Sequence, residues 1–341
     1  MKNSNLIICD ATIQPGESAN LALPLPEHYS CASFYIPIKV VHGKEAGPCL
    51  IIIAGIKGNE LNGIEIINRL LSKDQLKSLK GTLIAIPVLN VLELINYPSS
   101  APYEKQLEFC FPGDKEGSYC ERVAEVFTKE IFAKATHCIE IKTGSLNHEL
   151  LPQIYADLDN SESKKLAKCF SAPVITHIGT KSRSLSNMAD ELNIPMLVYK
   201  AGEALRFDES SIKVGIEGVL NVLSELEMIS DEPDEPDAKR QFTPVFSQEQ
   251  EWLRAHRSGV LIAEVELGQM IKKNQIIARI RDPFSADIIE PIYAPQDCVV
   301  VGINRNPLIY EGQSIFKVSS FVNNDRAEIS LESWVEMQET E

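Results

Sequence analysis

A chain of 341 residues with a formal net charge of −15 repels phosphate backbones, which excludes its surface as a whole from nucleic-acid binding. Its 44% hydrophobic and 24% charged residues exclude a disordered or fibrous chain and leave an ordinary globular one, long enough for two domains. No apolar run reaches the length of a membrane span, Asp10 breaks the first apolar stretch with no cleavage site, and eight cysteines scatter without a CxxC pair, so a cytoplasmic protein with reduced thiols is expected.

The apolar runs at 48–55 and 81–90 read as buried strands that feed loops. Between them Leu61, Ile64, Ile67, Leu70 and Leu71 recur at helical spacing, with Asn68, Arg69 and Lys73 left to face water, which makes one βαβ unit. The pattern continues with an amphipathic helix over 119–133, strands at 137–141 and 194–199, and a helix over 211–226. Strands alternating with helices imply an α/β fold with a doubly wound sheet, assigned to residues 1–230.

The run Asp231-Glu232-Pro233-Asp234-Glu235-Pro236-Asp237 is acidic and devoid of apolar residues, and 231–250 is read as linker and connection. Short strands punctuated by turns follow at 259–265, 275–280, 298–302 and 314–318, an all-β domain over 251–322 with a tail at 323–341. Two phrases in it, 266–277 and 308–316, resemble each other, and with Ala294-Pro295-Gln296-Asp297 they resemble the flattened barrel-sandwich of biotinyl/lipoyl carrier domains. No lysine stands between Arg279 and Ala294 to carry a swinging arm, so a structural barrel packed on the first domain is expected.

The segment Ala54-Gly55-Ile56-Lys57-Gly58-Asn59-Glu60-Leu61-Asn62-Gly63 resembles the metal-binding loop, G-x-H-G-x-E-x-x-G, of the succinylglutamate desuccinylase/aspartoacylase family. The resemblance extends over nearly the whole chain, through Pro15-Gly16-Glu17, Val41-His42-Gly43-Lys44, Phe111-Pro112-Gly113, Glu121-Arg122 and Asp282-Pro283-Phe284. It implies a zinc-carboxypeptidase-like mixed sheet with helices on both faces. It also implies a zinc ion held by two imidazoles and a carboxylate, which activates water against an N-acyl amino acid.

Measured against that pattern, Lys57 stands at the first His position and Glu60 keeps the carboxylate. Lys142, in Glu140-Ile141-Lys142-Thr143-Gly144, stands where the family typically reads the His of D-L-H-T-G. Lys200, in Lys200-Ala201-Gly202, matches the catalytic Glu of an E-x-G phrase, and a shifted register would bring Glu203 there instead. In the substrate-carboxylate clamp, Phe109 replaces the Arg and Glu108 the Asn of D-L-N-R-C-F-P-G, while Asn90 survives from a nearby N-P motif with Val91 in place of Pro.

A charged ammonium group has three donors and no lone pair, so neither Lys57 nor Lys142 replaces an imidazole as a ligand. No zinc and no other cofactor are expected. Lys57, Glu60, Lys142 and Lys200 are expected to converge at the carboxyl ends of the parallel strands, where their excess positive charge would attract a small anion or carboxylate. The corresponding function is that of a pseudoenzyme, a non-catalytic binding or regulatory protein with a protein partner or a second copy of itself as further partners. The alternative is a zinc-dependent amidohydrolase. His137 and His148 lack ligand spacing with Glu60, Ser184, Ser186 and Ser210 read as loop or helix-cap hydroxyls, and Cys110 as a buried thiol.

Overall fold

The computed structural model describes residues 2–27, 33–96, 105–179, 182–230, 243–285 and 288–339. Its centre is built from the apolar runs. β5 (Cys49–Ile53), β6 (Thr82–Ile86) and β7 (His137–Lys142) are almost wholly buried, as strands covered on both faces must be. β5 runs parallel to both β6 and β7, and β7 runs parallel to β10 (Met196–Gly202), with Lys142 opposite Lys200. Beyond β6, β4 (Tyr35–His42) and β3 (Ser18–Pro24) add antiparallel edges, flanked by a small hairpin of β1 (Leu6–Ile8) and β2 (Ala11–Ile13). On the other side β8 (His148–Ala156) pairs antiparallel with β10, and β9 (Val174–His177) pairs parallel with β8.

Alternation along the strands sends side chains into two cores. Leu50 and Ile52 face α1 (Leu61–Leu70), α4 (Ser161–Phe170) and α6 (Glu209–Glu225), whereas Ile51 and Ile53 face α3 (Tyr119–Glu130), α5 (Leu185–Glu191) and the N-terminal hairpin. Helices on both faces of a mixed sheet were expected and are found. The buried stripe of α1 differs from the one read in the sequence, because Asn62, Gly63, Ile66, Ile67 and Leu70 face inward and Leu61 and Ile64 are only partly covered. Gly63 sets this phase. A Cβ there would stand 2.7 Å from that of Ala54 and 3.1 Å from Ile141, so only glycine lets the first turn press on the sheet.

The second half does not stand apart from the first. β11 (Val245–Arg254) starts inside the expected linker, pairs parallel with β9 at Val245 and Phe246, then runs antiparallel to β18 (Ser314–Phe321). β16 (Cys298–Asn304) pairs with β18 and, at Gly302 to Asn304, with β8. The order β8, β9, β11, β18, β16 thus closes on itself as a barrel-like sheet that borrows two strands from the α/β half. A second sheet of β15 (Ile288–Tyr293), β14 (Ile276–Arg281), β12 (Gly259–Ala263) and β17 (Leu308–Ile309) packs Leu261, Ile277 and Ile280 against Val300, Phe316 and Val318. The expected tail is largely a helix, α7 (Asn324–Glu339), whose Ala327, Leu331 and Trp334 join the first core. The acidic run 231–242 lies outside the described residues.

The two similar phrases have one shape. Each is a two-residue strand, Met270–Ile271 (β13) or Leu308–Ile309, then a turn with Asn274 or Gly312 at positive φ, then a long strand. In both, the glutamine after that residue, Gln275 or Gln313, accepts a hydrogen bond from the backbone N–H three residues back, at 2.9 and 3.0 Å. Gln269 does the same for Glu266 in a third turn, at 2.9 Å. Among the described residues, no helix is long and apolar enough to cross a membrane.

Candidate functional site

At the carboxyl end of β5 the chain turns through Gly55, whose φ of 58° suits glycine, and enters α1 with Glu60 as the residue before its first turn. That loop, the ends of β7 and β10, and the strands of the second half enclose a cavity of about 390 Å³. This is the size range of small-molecule sites, at the place where open α/β sheets carry them. Lys57, Glu60, Lys142 and Lys200 all line it, together with Glu108, Glu140, Phe109, His148, Trp252 and Lys317.

One side of the cavity is an ion-pair chain. Lys142 Nζ lies 2.9 Å from Glu140 Oε1 and 3.2 Å from Glu108 Oε2, and Lys57 Nζ is 3.2 Å from the same Glu108 oxygen. Burial works against the charge on Lys142, but Glu140, Glu60 and Glu108 outweigh it and hold the ammonium above its usual pKa. Burial likewise raises Glu108, and the two lysines more than reverse it, leaving its carboxyl below the usual range. Glu60 has no ammonium so close. It accepts from the Lys57 backbone N–H at 3.3 Å, and burial, only partly offset by Lys142 and Lys57, pushes it up to about 7.

The other side is different. Lys200 Nζ sits 4.7 Å from the centre of the Tyr155 ring, and Lys317 Nζ sits 5.3 Å from the same centre and donates to Tyr155 Oη at 2.7 Å. Burial, and then Lys200, lower Lys317 to about 8; burial, and then Lys142, lower Lys200. Tyr155 Oη in turn donates to Gln250 Oε1 at 2.9 Å with Gln153 Oε1 3.2 Å away, and the amides of those glutamines reach Thr176 and the Val301 carbonyl, so this side rests on a satisfied polar network.

Of the other sequence candidates, Asn90 lies behind the cavity, bracing the loop through the Ile56 carbonyl (3.2 Å) and Glu93 (2.7 Å). Glu203 does not reach the cavity. The register of β10 shifts between Lys200 and Gly202, and Glu203 accepts from the Asn147 N–H at 2.9 Å and faces Arg206 at 3.2 Å. His137 sits at the start of β7 against Glu162, at 2.9 Å, while His148 lines the cavity edge-on to Trp252, with ring centres 5.1 Å apart. Ser184 caps α5 through the Asn187 N–H, Ser210 donates to Asp208, and Cys110 is buried and donates to the Gln106 carbonyl. Sequence reasoning missed Lys317, Tyr155 and Trp252. The one signal was a lysine inside the apolar run Ile315-Phe316-Lys317-Val318, where a charge needs a reason.

Fold and site together define an α/β protein with a charged cavity at the ends of its parallel strands, walled by a barrel-like β half. The chain belongs to the succinylglutamate desuccinylase/aspartoacylase family, since the sequence profile of the Succinylglutamate desuccinylase/Aspartoacylase catalytic domain matches residues 46–226. It is 24% identical over 317 residues to an N-alpha-acetyl-L-2,4-diaminobutyric acid deacetylase of Halomonas elongata, covering 89% of this chain and 91% of that one. Its fold matches a succinylglutamate desuccinylase/aspartoacylase from Rhodobacter sphaeroides, with TM-score 0.75, 19% identity, and 89% and 95% of the two chains covered. It also matches the product-bound ectoine utilization protein EutE from Ruegeria pomeroyi, with TM-score 0.76, 18% identity, and 93% and 98% covered.

Proposed function

We propose that this chain is a metal-site-degenerate member of its family, a binding or regulatory protein that takes a small anion or carboxylate into its cavity without hydrolysing an amide. The observation that carries the reading is Lys142, whose ammonium is fixed between Glu140 and Glu108 where the family motif has an imidazole. Family members are typically zinc-dependent, and the donor set here does not fit zinc. Lys57 and Lys142 offer donors rather than lone pairs, and the carboxylates that surround Lys142 stabilise its charged form. Two ammonium groups among Glu60, Glu108 and Glu140 supply the positive charge that a metal would otherwise bring.

The same reading takes the second half as a wall of the cavity. Its likeness to carrier domains is one of architecture, since no lysine stands between Arg279 and Ala294. Metal analysis of the purified protein and an assay with N-acetyl and N-succinyl amino acids test the proposal. No bound zinc and no turnover are expected. Zinc-dependent turnover that disappears in Glu60→Ala would instead establish the amidohydrolase.

A further inference from the structure

Charge is not spread evenly round the cavity. Lys57 and Lys142 are matched by Glu108 and Glu140, but Lys200 and Lys317 have no ion-pair partner among the described residues. What they have instead is the face and the oxygen of one tyrosine, weak company for two ammonium groups. Strand register puts them together. Lys200 lies opposite both Lys142 and Gln153, and Tyr155 is diagonal to it on β8, while Lys317 lies opposite Trp252 on the β11–β18 ladder, with both side chains on one face. Lys200, Lys317 and Trp252 all line the cavity.

We propose that Lys200 and Lys317 form a carboxylate-binding subsite on the Tyr155 side of the cavity, with Trp252 as the surface for the apolar part of an organic ligand. Two converging ammonium groups without a carboxylate of their own are complementary to one oxyanion, which would accept from both. The indole beside Lys317 and the apolar side chains of Leu150 and Ile178 favour an organic acid over an inorganic ion. The subsite deepens the binding-protein reading and rests on it.

The charged and titratable groups that face Lys317 are Lys200, Tyr155 and His148. Of these Lys200 opposes its protonation and Tyr155 is kept neutral by burial, so binding should weaken as pH rises through the range in which Lys317 loses its proton. The test measures thermal stabilisation and calorimetric binding with butyrate, phenylacetate and inorganic phosphate as probes, at pH 7 and pH 9. We expect saturable binding of phenylacetate at pH 7, weakened about tenfold or more in Lys317→Met and in Lys200→Met. We also expect a drop in wild-type affinity at pH 9 that Lys317→Arg, still charged there, does not share. Folding of each variant is checked by circular dichroism, and the pH comparison on wild type stands even where a variant fails. Binding of phosphate with none of either organic acid would overturn the proposal. Binding lost in Lys57→Met but kept in Lys317→Met would overturn the subsite and leave the binding-protein reading intact. No binding of any probe would remove both, and so would zinc-dependent turnover, which removes the reading on which the subsite rests.

Discussion

The chemistry of this site is set by which lysine meets which carboxylate, and that pairing is a matter of single residues. Counting charge along the sequence placed the positive excess on Lys57, Lys142 and Lys200. In the folded chain Glu108, read as a damaged clamp residue, joins Glu140 in neutralising the first two, and the excess falls on Lys200 and Lys317. The positions in the family motif were legible because a loop, a strand end and a second strand end each carry a recognisable phrase. The partners were not, since a salt bridge between Glu108 and Lys142 depends on a tertiary approach that no spacing encodes. Glu60 makes a pH prediction. Burial raises its carboxyl from 4.5 to about 7, so between those values the folded state keeps a proton that the unfolded state has lost. Its contribution is therefore full at low pH and is lost as pH rises through that window, by about 3 kcal/mol in all. Denaturant midpoints at pH 5 and pH 8 should show this fall in wild type and not in Glu60→Gln; equal slopes would mean that Glu60 is an ordinary carboxylate.

Among elements, β10 decides what enters the cavity. Its bulge after Lys200 turns Gly202 to a φ of 67° and carries Glu203 out to Asn147 and Arg206, so the strand delivers an ammonium and withholds the next carboxylate. Gly202→Ala should cost about 1–3 kcal/mol, because its Cβ would strain the left-handed backbone and stand 2.6 Å from Asn62 Nδ2. Urea unfolding measures this, and a neutral result would show that the bulge relaxes freely. Facing the bulge, β8 places Pro152 between Gln153, the partner of Lys200, and Leu150, the partner of Gly202. A proline marks a segment as an edge strand or no strand at all, and here it sits at the irregularity, where a missing N–H is tolerated in the middle of the sheet. That is why the runs of β5, β6 and β7 could be read as strands directly and β8, which carries Tyr155 into the site, could not.

At the scale of the molecule, the pairing of β16 with β8 makes the two halves one body. Composition divides the chain at the acidic run, and the periods change there from helical to alternating, so a two-domain reading is what local signals support. Closure of the barrel-like sheet is a long-range event, joining Gly302 to Leu150 and Val245 to Val174, and it leaves Val299, Val301, Phe321 and Trp334 in the same core as Ile52 and Phe170. Cutting through that core would expose apolar surface on both sides, which favours a single cooperative transition over stepwise unfolding. The two tryptophans, Trp252 and Trp334, both belong to the second half, whereas α1, α2 (Val91–Asn96), α3, α4, α5 and α6 belong to the first. Tryptophan fluorescence therefore reports on elements of the second half and on their contact with the first, and far-ultraviolet circular dichroism mainly on the helices of the first. Their thermal and denaturant transitions should coincide, and residues 1–230 expressed alone should not give a native, cooperatively unfolding protein. Separated midpoints would show that the halves fold independently, and the cavity wall that brings Lys317 to Lys200 would then be a docked surface rather than a shared sheet.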